Sequence, residues 1–188
     1  MTALPPYDAV VLAGGAATRL GGVDKPALPV GGRALLDRVL RAVDSAERRI
    51  VVGPQRATEV PVTWCREEPP GGGPAAGVAA ALPLVRAPWV ALLAGDLPFV
   101  RSGDLAALRA GALGHDGAVL VDDAGARQWL LGVWSREAIR RCTWAAGGSM
   151  RRQLGGLDVV ELRAPDRADA PWLDCDTTDD LQRARGLV

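Results

Sequence analysis

At 188 residues, 48% of them hydrophobic, the chain can bury one substantial core and is expected to form a single domain over residues 1–188. Lysine plus arginine (22) balances aspartate plus glutamate (22), so no overall field draws nucleic acid or an anionic membrane, and any anion site has to be local. No segment approaches the roughly 20 apolar residues of a membrane helix, and no charged start runs into a long apolar stretch, which points to a cytoplasmic protein.

The first predicted strand is YDAVVLAG, residues 7–14, and RRIVVG, residues 48–53, is the second; each is a short apolar run closed by glycine. Between them residues 34–43 carry apolar side chains at 35, 36, 39, 40 and 43, which is helical spacing and completes a βαβ unit. Residues 62–65 and 89–96 continue as strands, with a helix over 75–85 between them. Alternation of strand and helix argues for a Rossmann-like α/β sandwich of three layers around a mostly parallel sheet. In the second half, residues 118–123 and 129–135 read as strands joined by a turn-rich link, which permits an antiparallel pair. Helices are expected over SREAIRRC and GSMRRQL, the latter capped by Ser149, and DVVELR is a further short strand. The last segment, from Trp172, reads as strand, loop and helix, with Thr177 and Asp180 spaced as a capping box.

Several residue types carry a plain structural reading. Cys65, Cys142 and Cys175 are odd in number and widely spaced, so they read as core thiols rather than disulfide or zinc partners. The lone histidine, His115, stands in a glycine-flanked turn and reads as a solvated loop residue. Trp64, Trp89 and Trp134 lie inside strand-like runs and read as core rather than as stacking platforms for bases.

The chemistry gathers in the loops that follow the strands, where open α/β sheets bind their ligands. After the first strand comes AGGAATRLGGVDK, which matches neither the P-loop nor the dinucleotide fingerprint: Lys25 follows Asp24 rather than glycine, and the glycines fall at 14, 15, 21 and 22. Gly14 and Gly15 leave room for a ligand against the backbone, while Arg19 and Lys25 supply charge for a polyphosphate. Asp96 stands just beyond an apolar strand and is suited to hold a Mg²⁺ on phosphate oxygens, with Pro98 stiffening the loop. Asp174 and Asp176 alternate with Leu173 and Cys175, so both carboxylates are expected on one face of a strand end, where they complete the metal site. Each feature alone also reads as a tight turn, a solvated charge or a cap; their joint occurrence is the argument.

The stretch VLAGGAATRLGGVDKPALPVGGRALLDRVL, followed by GPAAG, GDLPF and LDCDTTDDL, resembles the nucleotidyltransferases of the molybdenum cofactor guanylyltransferase type. The shared motifs run from residue 10 to residue 181. This resemblance implies a GTP- and Mg²⁺-dependent enzyme that transfers GMP to the phosphate of the molybdopterin cofactor and releases pyrophosphate. It also implies recipient molybdoenzymes and other cofactor-biosynthesis proteins as partners. By position it implies Leu12, Ala13, Gly14 and Gly15 at the nucleotide, Lys25 on its phosphates and Asp96 on Mg²⁺, with Asp176 as a further metal candidate. Arg19, Lys25 and Asp96 are then the catalytic set. Gly53 and Glu68 take the places of a family asparagine and aspartate that contact the nucleoside, and Asp174 takes that of an asparagine. Arg127, Gln128 and Trp129 fall in the half that receives the acceptor.

The same frame serves a cytidylyltransferase or another nucleotidyltransferase with a different phosphate acceptor. The Gly14–Gly15 pair favours guanine, because cytidine-using relatives more often carry alanine at the position of Gly14. A non-catalytic nucleotide-binding partner of a molybdoenzyme is the reading from a different class, and the retention of Arg19, Lys25 and Asp96 together speaks against it.

Overall fold

The apolar run that opens the chain forms β1 (Tyr7–Leu12), and the computed structural model describes the chain over residues 4–14, 23–68 and 70–188. A short 3-10 turn, Lys25–Ala27, leads into a small hairpin of β2 (Pro29–Val30) and β3 (Arg33–Ala34), which turns at Gly31 and Gly32 and was not among the predicted elements. Then follow α1 (Leu35–Ala42), β4 (Arg49–Val52), β5 (Thr63–Cys65), α2 (Gly73–Ala81) and β6 (Trp89–Ala94). The second half contributes α3 (Ser102–Gly111), β7 (Gly117–Val121), β8 (Arg127–Ser135), α4 (Arg136–Arg141), α5 (Met150–Leu154), β9 (Val159–Arg163) and α6 (Thr178–Gly186).

Among the described residues, seven strands make one sheet in the order β5-β4-β1-β6-β8-β7-β9. Only β8 runs against its neighbours; the other contacts, β5 to β4, β4 to β1, β1 to β6 and β7 to β9, are parallel. Alternate residues of the central strands enter opposite layers, as the period of two requires. Tyr7, Ala9 and Val11 of β1 pack with Leu36 and Val39 of α1 and with Leu105 and Leu108 of α3. Val10 packs instead with Val78 of α2, Ile139 of α4 and Leu154 of α5. The result is the three-layer α/β sandwich expected, and each fully buried Leu, Ile or Val contributes about 1.5–3 kcal/mol of transfer free energy to it.

Two departures from the predicted elements have physical causes. Helix α3 lies where no element was predicted, because its apolar positions, Leu105 and Leu108, are few and diluted by alanine and glycine. Residues 172–176 form no strand, although burial does alternate there, with Cys175 in and Asp174 and Asp176 out. The segment pairs with none of the described strands and instead lays Leu173 and Cys175 on a separate apolar cluster. Both predicted caps are present: Ser149 Oγ accepts from Arg152 N–H, and Thr177 and Asp180 bond each other's backbone N–H groups.

The remaining structural readings resolve simply. Trp134 is fully buried, and Trp64 and Trp89 pack half-buried against the core. All three cysteines are free thiols, Cys175 buried and the other two half-buried. His115 is exposed in the turn before β7, its Nδ1 2.9 Å from Asp158 Oδ2. Asp8, a carboxylate inside β1, is wholly buried and accepts the N–H groups of Arg86 and Ala87 at 2.6 and 2.9 Å, a structural link between the start of β1 and the chain entering β6. Among the described residues no helix is long and apolar enough to cross a membrane.

Candidate functional site

The parallel strands β1, β4, β5 and β6 all end at one edge of the sheet, and β8, being antiparallel, begins there. Among the described residues, three charged side chains from distant parts of the chain meet at this edge. The ammonium of Lys25 lies 2.5 Å from Asp96 Oδ2 and 2.5 Å from Asp176 Oδ1. Lys25 and Asp96 are mostly enclosed, with 15% and 20% of their side chains exposed, whereas Asp176 is half exposed. Of the predicted catalytic set, Lys25 and Asp96 are therefore in contact, and Asp176, the further metal candidate, meets the same ammonium from a loop rather than from a strand end.

A satellite apolar cluster explains how three segments reach one point. Val30 follows Lys25, Phe99 follows Asp96, and Cys175 precedes Asp176; these three pack together with Leu35, Leu181 and Ala184. Arg38 reinforces the arrangement by donating from Nε to Pro98 O at 2.8 Å and from Nη1 to Val30 O at 3.1 Å, which ties the Asp96 loop to the segment that carries Lys25. Arg185 of α6 donates to Pro29 O at 3.2 Å. Pro26 sits in the short turn that starts at Lys25 and restricts the backbone there.

The local electrostatics follow from this crowding. Burial alone would lower the pKa of Lys25, but the charges of Asp96 and Asp176 outweigh it and the ammonium is held above its ordinary value. Asp174 is raised above the usual carboxylate value, first by desolvation and then by the neighbouring charges of Asp176 and Asp96. The folded protein thus favours protonated Asp174, so its ionised form costs stability at neutral pH and the cost disappears as pH falls through its folded pKa. Asp174→Asn is therefore expected to raise the melting temperature slightly at pH 7, with the gain fading on acidification; a gain that persists below the carboxylate range would refute the electrostatic origin. Cys175, between the two aspartates, is pushed up to about 12, chiefly by burial, so its thiol is a packing group rather than a nucleophile.

The backbone at the end of β1 is equally constrained. Ala13 N–H donates to Val52 O and Gly95 N–H to Leu12 O, both at 2.8 Å, so Leu12 and Ala13 sit between the ends of β4 and β6. Gly53 has φ +144°, and a Cβ there would lie 2.8 Å from Ala13 C and O and from Gly14 N. That close approach supplies a structural reason for glycine where the family has asparagine. Gly14 differs: it is exposed, and among the described residues a Cβ on it would meet Gly53 Cα at 3.6 Å and Val52 O at 3.7 Å, ordinary contacts. Packing against the described residues does not require Gly14 to be glycine. Glu68 is exposed in the loop after β5, and no described contact joins it to Lys25, Asp96 or Asp176. Arg19 and Gly15 lie outside the described residues.

Two residues of the edge were missed from the sequence. Arg56, in the loop after β4, grips Asp24 with Nε at 3.0 Å and Nη2 at 2.9 Å and donates from Nη1 to Ala13 O at 3.2 Å. It joins the residue before Lys25 to the end of β1, and nothing in GPQRAT distinguishes it from a solvated arginine. The second, Arg38, lies on an otherwise ordinary amphipathic helix. A signal for Lys25 was available, however: it is the one lysine among the 22 basic residues of the chain, all the others being arginine. A compact ammonium places its charge at one point between two carboxylates, whereas a guanidinium presents a rigid planar fork.

Arg127, Gln128 and Trp129 open β8 and so lie at the same edge, half-buried. The register between β7 and β8 shifts after Val119, with Gly132 opposite Val119 and Gln128 opposite Leu120, so a bulge turns Trp129 onto the face of Trp134. The two rings stack at 6.1 Å and 15°, and the Arg127 guanidinium lies 5.3 Å from the Trp129 ring centre while its Nε bonds Glu161 at 2.7 Å. Arg127 and Trp129 line a cleft of about 740 Å³ with Arg151 and Glu161. Gln128 points elsewhere, to Asp122 Oδ2 at 2.9 Å.

The mostly parallel sheet, with its cluster of charge at the open end of β1, is matched by proteins of the nucleotidyltransferase class. Residues 9–160 match the family described as MobA-like NTP transferase domain, and the chain belongs to that family. It is 31% identical over 169 residues to the molybdenum cofactor guanylyltransferase of Pseudomonas syringae pv. syringae, covering 85% of this chain and 84% of the relative. It is 34% identical over 204 residues to the probable molybdenum cofactor guanylyltransferase of Methanosarcina acetivorans, covering 96% and 91%. Among solved structures, 2-C-methyl-D-erythritol 4-phosphate cytidylyltransferase from Thermus thermophilus superposes with a TM-score of 0.72 at 21% identity, over 95% of this chain and 96% of that one, a likeness of fold alone.

Proposed function

We propose that the chain transfers GMP from GTP to the phosphate of the molybdopterin cofactor, with Mg²⁺, and passes the product to molybdoenzymes. The observation that carries this reading is the Lys25–Asp96–Asp176 cluster at the open end of β1, in a chain whose named relatives are guanylyltransferases. An acceptor phosphate oxygen attacks the α-phosphorus; the bond from that phosphorus to the β-bridging oxygen breaks, and pyrophosphate leaves with the electron pair. Two anions have to be held together while charge builds on the leaving group, so positioning and charge neutralisation are what the protein must supply. Gly14 leaves the backbone open to the triphosphate and Lys25, with Arg19, offsets its charge. The cleft lined by Arg127, Trp129 and Arg151 offers cationic groups and the border of an aromatic stack to the acceptor.

The donor set suits Mg²⁺, which takes one or two carboxylates and completes its shell with phosphate and water. Asp96 Oδ2 and Asp176 Oδ1 both touch one nitrogen at 2.5 Å, close enough together for one small cation, and among the described residues no group of three or more His, Cys, Asp or Glu side chains offers a fuller cage. When bound, Mg²⁺ supplies charge neutralisation at the phosphates. Asp96, fixed between the core strand β6 and Pro98, would be the principal ligand, with Asp176 joining it directly or through water.

Pyrophosphate release with loaded molybdopterin and GTP, CTP or ATP tests the proposal. GTP is expected to be preferred, and equal release with CTP would sink the guanine assignment in favour of the cytidylyltransferase whose fold this chain shares. No release with any triphosphate would leave a non-catalytic nucleotide-binding protein. Because a Cβ fits at position 14, Gly14→Ala is expected to fold normally and to lose roughly tenfold in the GTP-over-CTP ratio, about one 1.4 kcal/mol step. An unchanged ratio would place base selection elsewhere.

A further inference from the structure

Among the described residues, the ammonium of Lys25 lies between Asp96 and Asp176, at 2.5 Å from each. The two carboxylates belong to loops far apart in sequence, and without a positive charge between them they would repel each other and the adjacent Asp174. The chain, which uses arginine at every other basic position, has a lysine here. A lysine is compact, carries its charge at one point and rotates freely on a flexible stem, so it can hold two carboxylates in one state and a different anion in another. A divalent ion drawn to the same oxygens meets the ammonium within a few ångströms in a largely enclosed site, so the two cations compete.

We infer that Lys25 has a second role, as a positioning residue: it serves as an internal cation that holds Asp96 and Asp176 together until a divalent metal takes its place and releases the ammonium to the triphosphate. The inference rests on the metal role proposed above for Asp96. Metal entry and phosphate capture are then coupled, because the ion that fills the carboxylate pair also frees the lysine that grips the nucleotide. A triphosphate brings the negative charge that the displaced ammonium needs, and the pair of cations becomes compatible only when the phosphates are present.

Free Mn²⁺, followed by its electron paramagnetic resonance signal, is titrated into the wild type, Lys25→Met and Asp96→Asn without nucleotide. Removing the competing ammonium is expected to tighten Mn²⁺ binding roughly tenfold in Lys25→Met, whereas a merely structural lysine would leave the affinity unchanged or weakened when lost. Equal or weaker binding in Lys25→Met, or no binding by any of the three proteins, overturns the inference; tighter binding that persists in the double variant Lys25→Met, Asp96→Asn does so too, because the ion would then lie elsewhere. A second measurement needs no variant. Lysine labelled with ¹³C at Cε gives one resonance from this single-lysine chain, and Mg²⁺ alone is expected to shift it; an unmoved resonance in protein that binds Mn²⁺ overturns the exchange. Pyrophosphate release on the same preparation separates the two readings. Transfer without a lysine response removes the exchange and leaves the proposed activity, while a lysine response without transfer keeps the exchange and removes the activity.

Discussion

Asp96→Asn is expected to retain the fold and to lose Mg²⁺-dependent GMP transfer by about two to three orders of magnitude, the scale found when a preorganised charge-stabilising group is removed from a transition state. Asp96 follows the buried strand Trp89–Ala94, whose Leu92 and Leu93 are wholly enclosed, and Pro98 and Phe99 anchor the chain beyond it. The backbone that carries Asp96 is therefore placed by the core, while its carboxylate also meets Lys25, and exchanging one oxygen for an amide nitrogen leaves the core support intact. Asp176→Asn is expected to be milder, about tenfold, because Asp176 is half exposed and an amide still bonds a metal-bound water. Titration of Mg²⁺ against pyrophosphate release measures both. An unchanged Mg²⁺ response in Asp96→Asn would remove Asp96 as the principal ligand, and circular dichroism of both variants separates lost chemistry from lost fold.

Exchange of the single lysine gives the second large effect. Loss of a charge-assisted contact to phosphate costs about 1.5–3 kcal/mol, so Lys25→Ala is expected to lower kcat/KM for the triphosphate by roughly 10- to 100-fold. Lys25→Arg keeps the charge and is expected to recover little of the loss. A guanidinium is wider than an ammonium and binds in a fixed plane, whereas Lys25 occupies a narrow position 2.5 Å from two carboxylates that come from different loops. Steady-state kinetics on the three proteins decide the matter: wild-type behaviour in Lys25→Arg would reduce Lys25 to a general source of positive charge. Neither change touches the two main apolar clusters, so thermal melts are expected to stay cooperative.

The sequence by itself determined the class of fold, because strand and helix periodicities alternate cleanly through residues 7–96 and leave only a parallel sheet covered on both faces. It also marked Lys25 and Asp96, each a charged residue in a loop that follows a buried strand, and both capping motifs, whose partners lie three residues apart. Local pattern failed where contacts are distant or apolar spacing is thin. Helix α3 buries little more than Leu105 and Leu108, and residues 172–176 alternate like a strand but have no described strand beside them. Only the tertiary structure decided that Asp176 faces Lys25, because Cys175 must reach an apolar cluster with Val30 and Phe99 that no single segment announces. Only it showed that Arg56 and Arg38 tie the loops of the site together through carbonyls remote in sequence, since an arginine bonded to a backbone oxygen reads the same as a solvated one until the chain is folded. It also separated two glycines that look alike in sequence: Gly53 is required by a backbone 2.8 Å away, whereas among the described residues a Cβ on Gly14 would meet only ordinary contacts, so packing accounts for the first and not for the second.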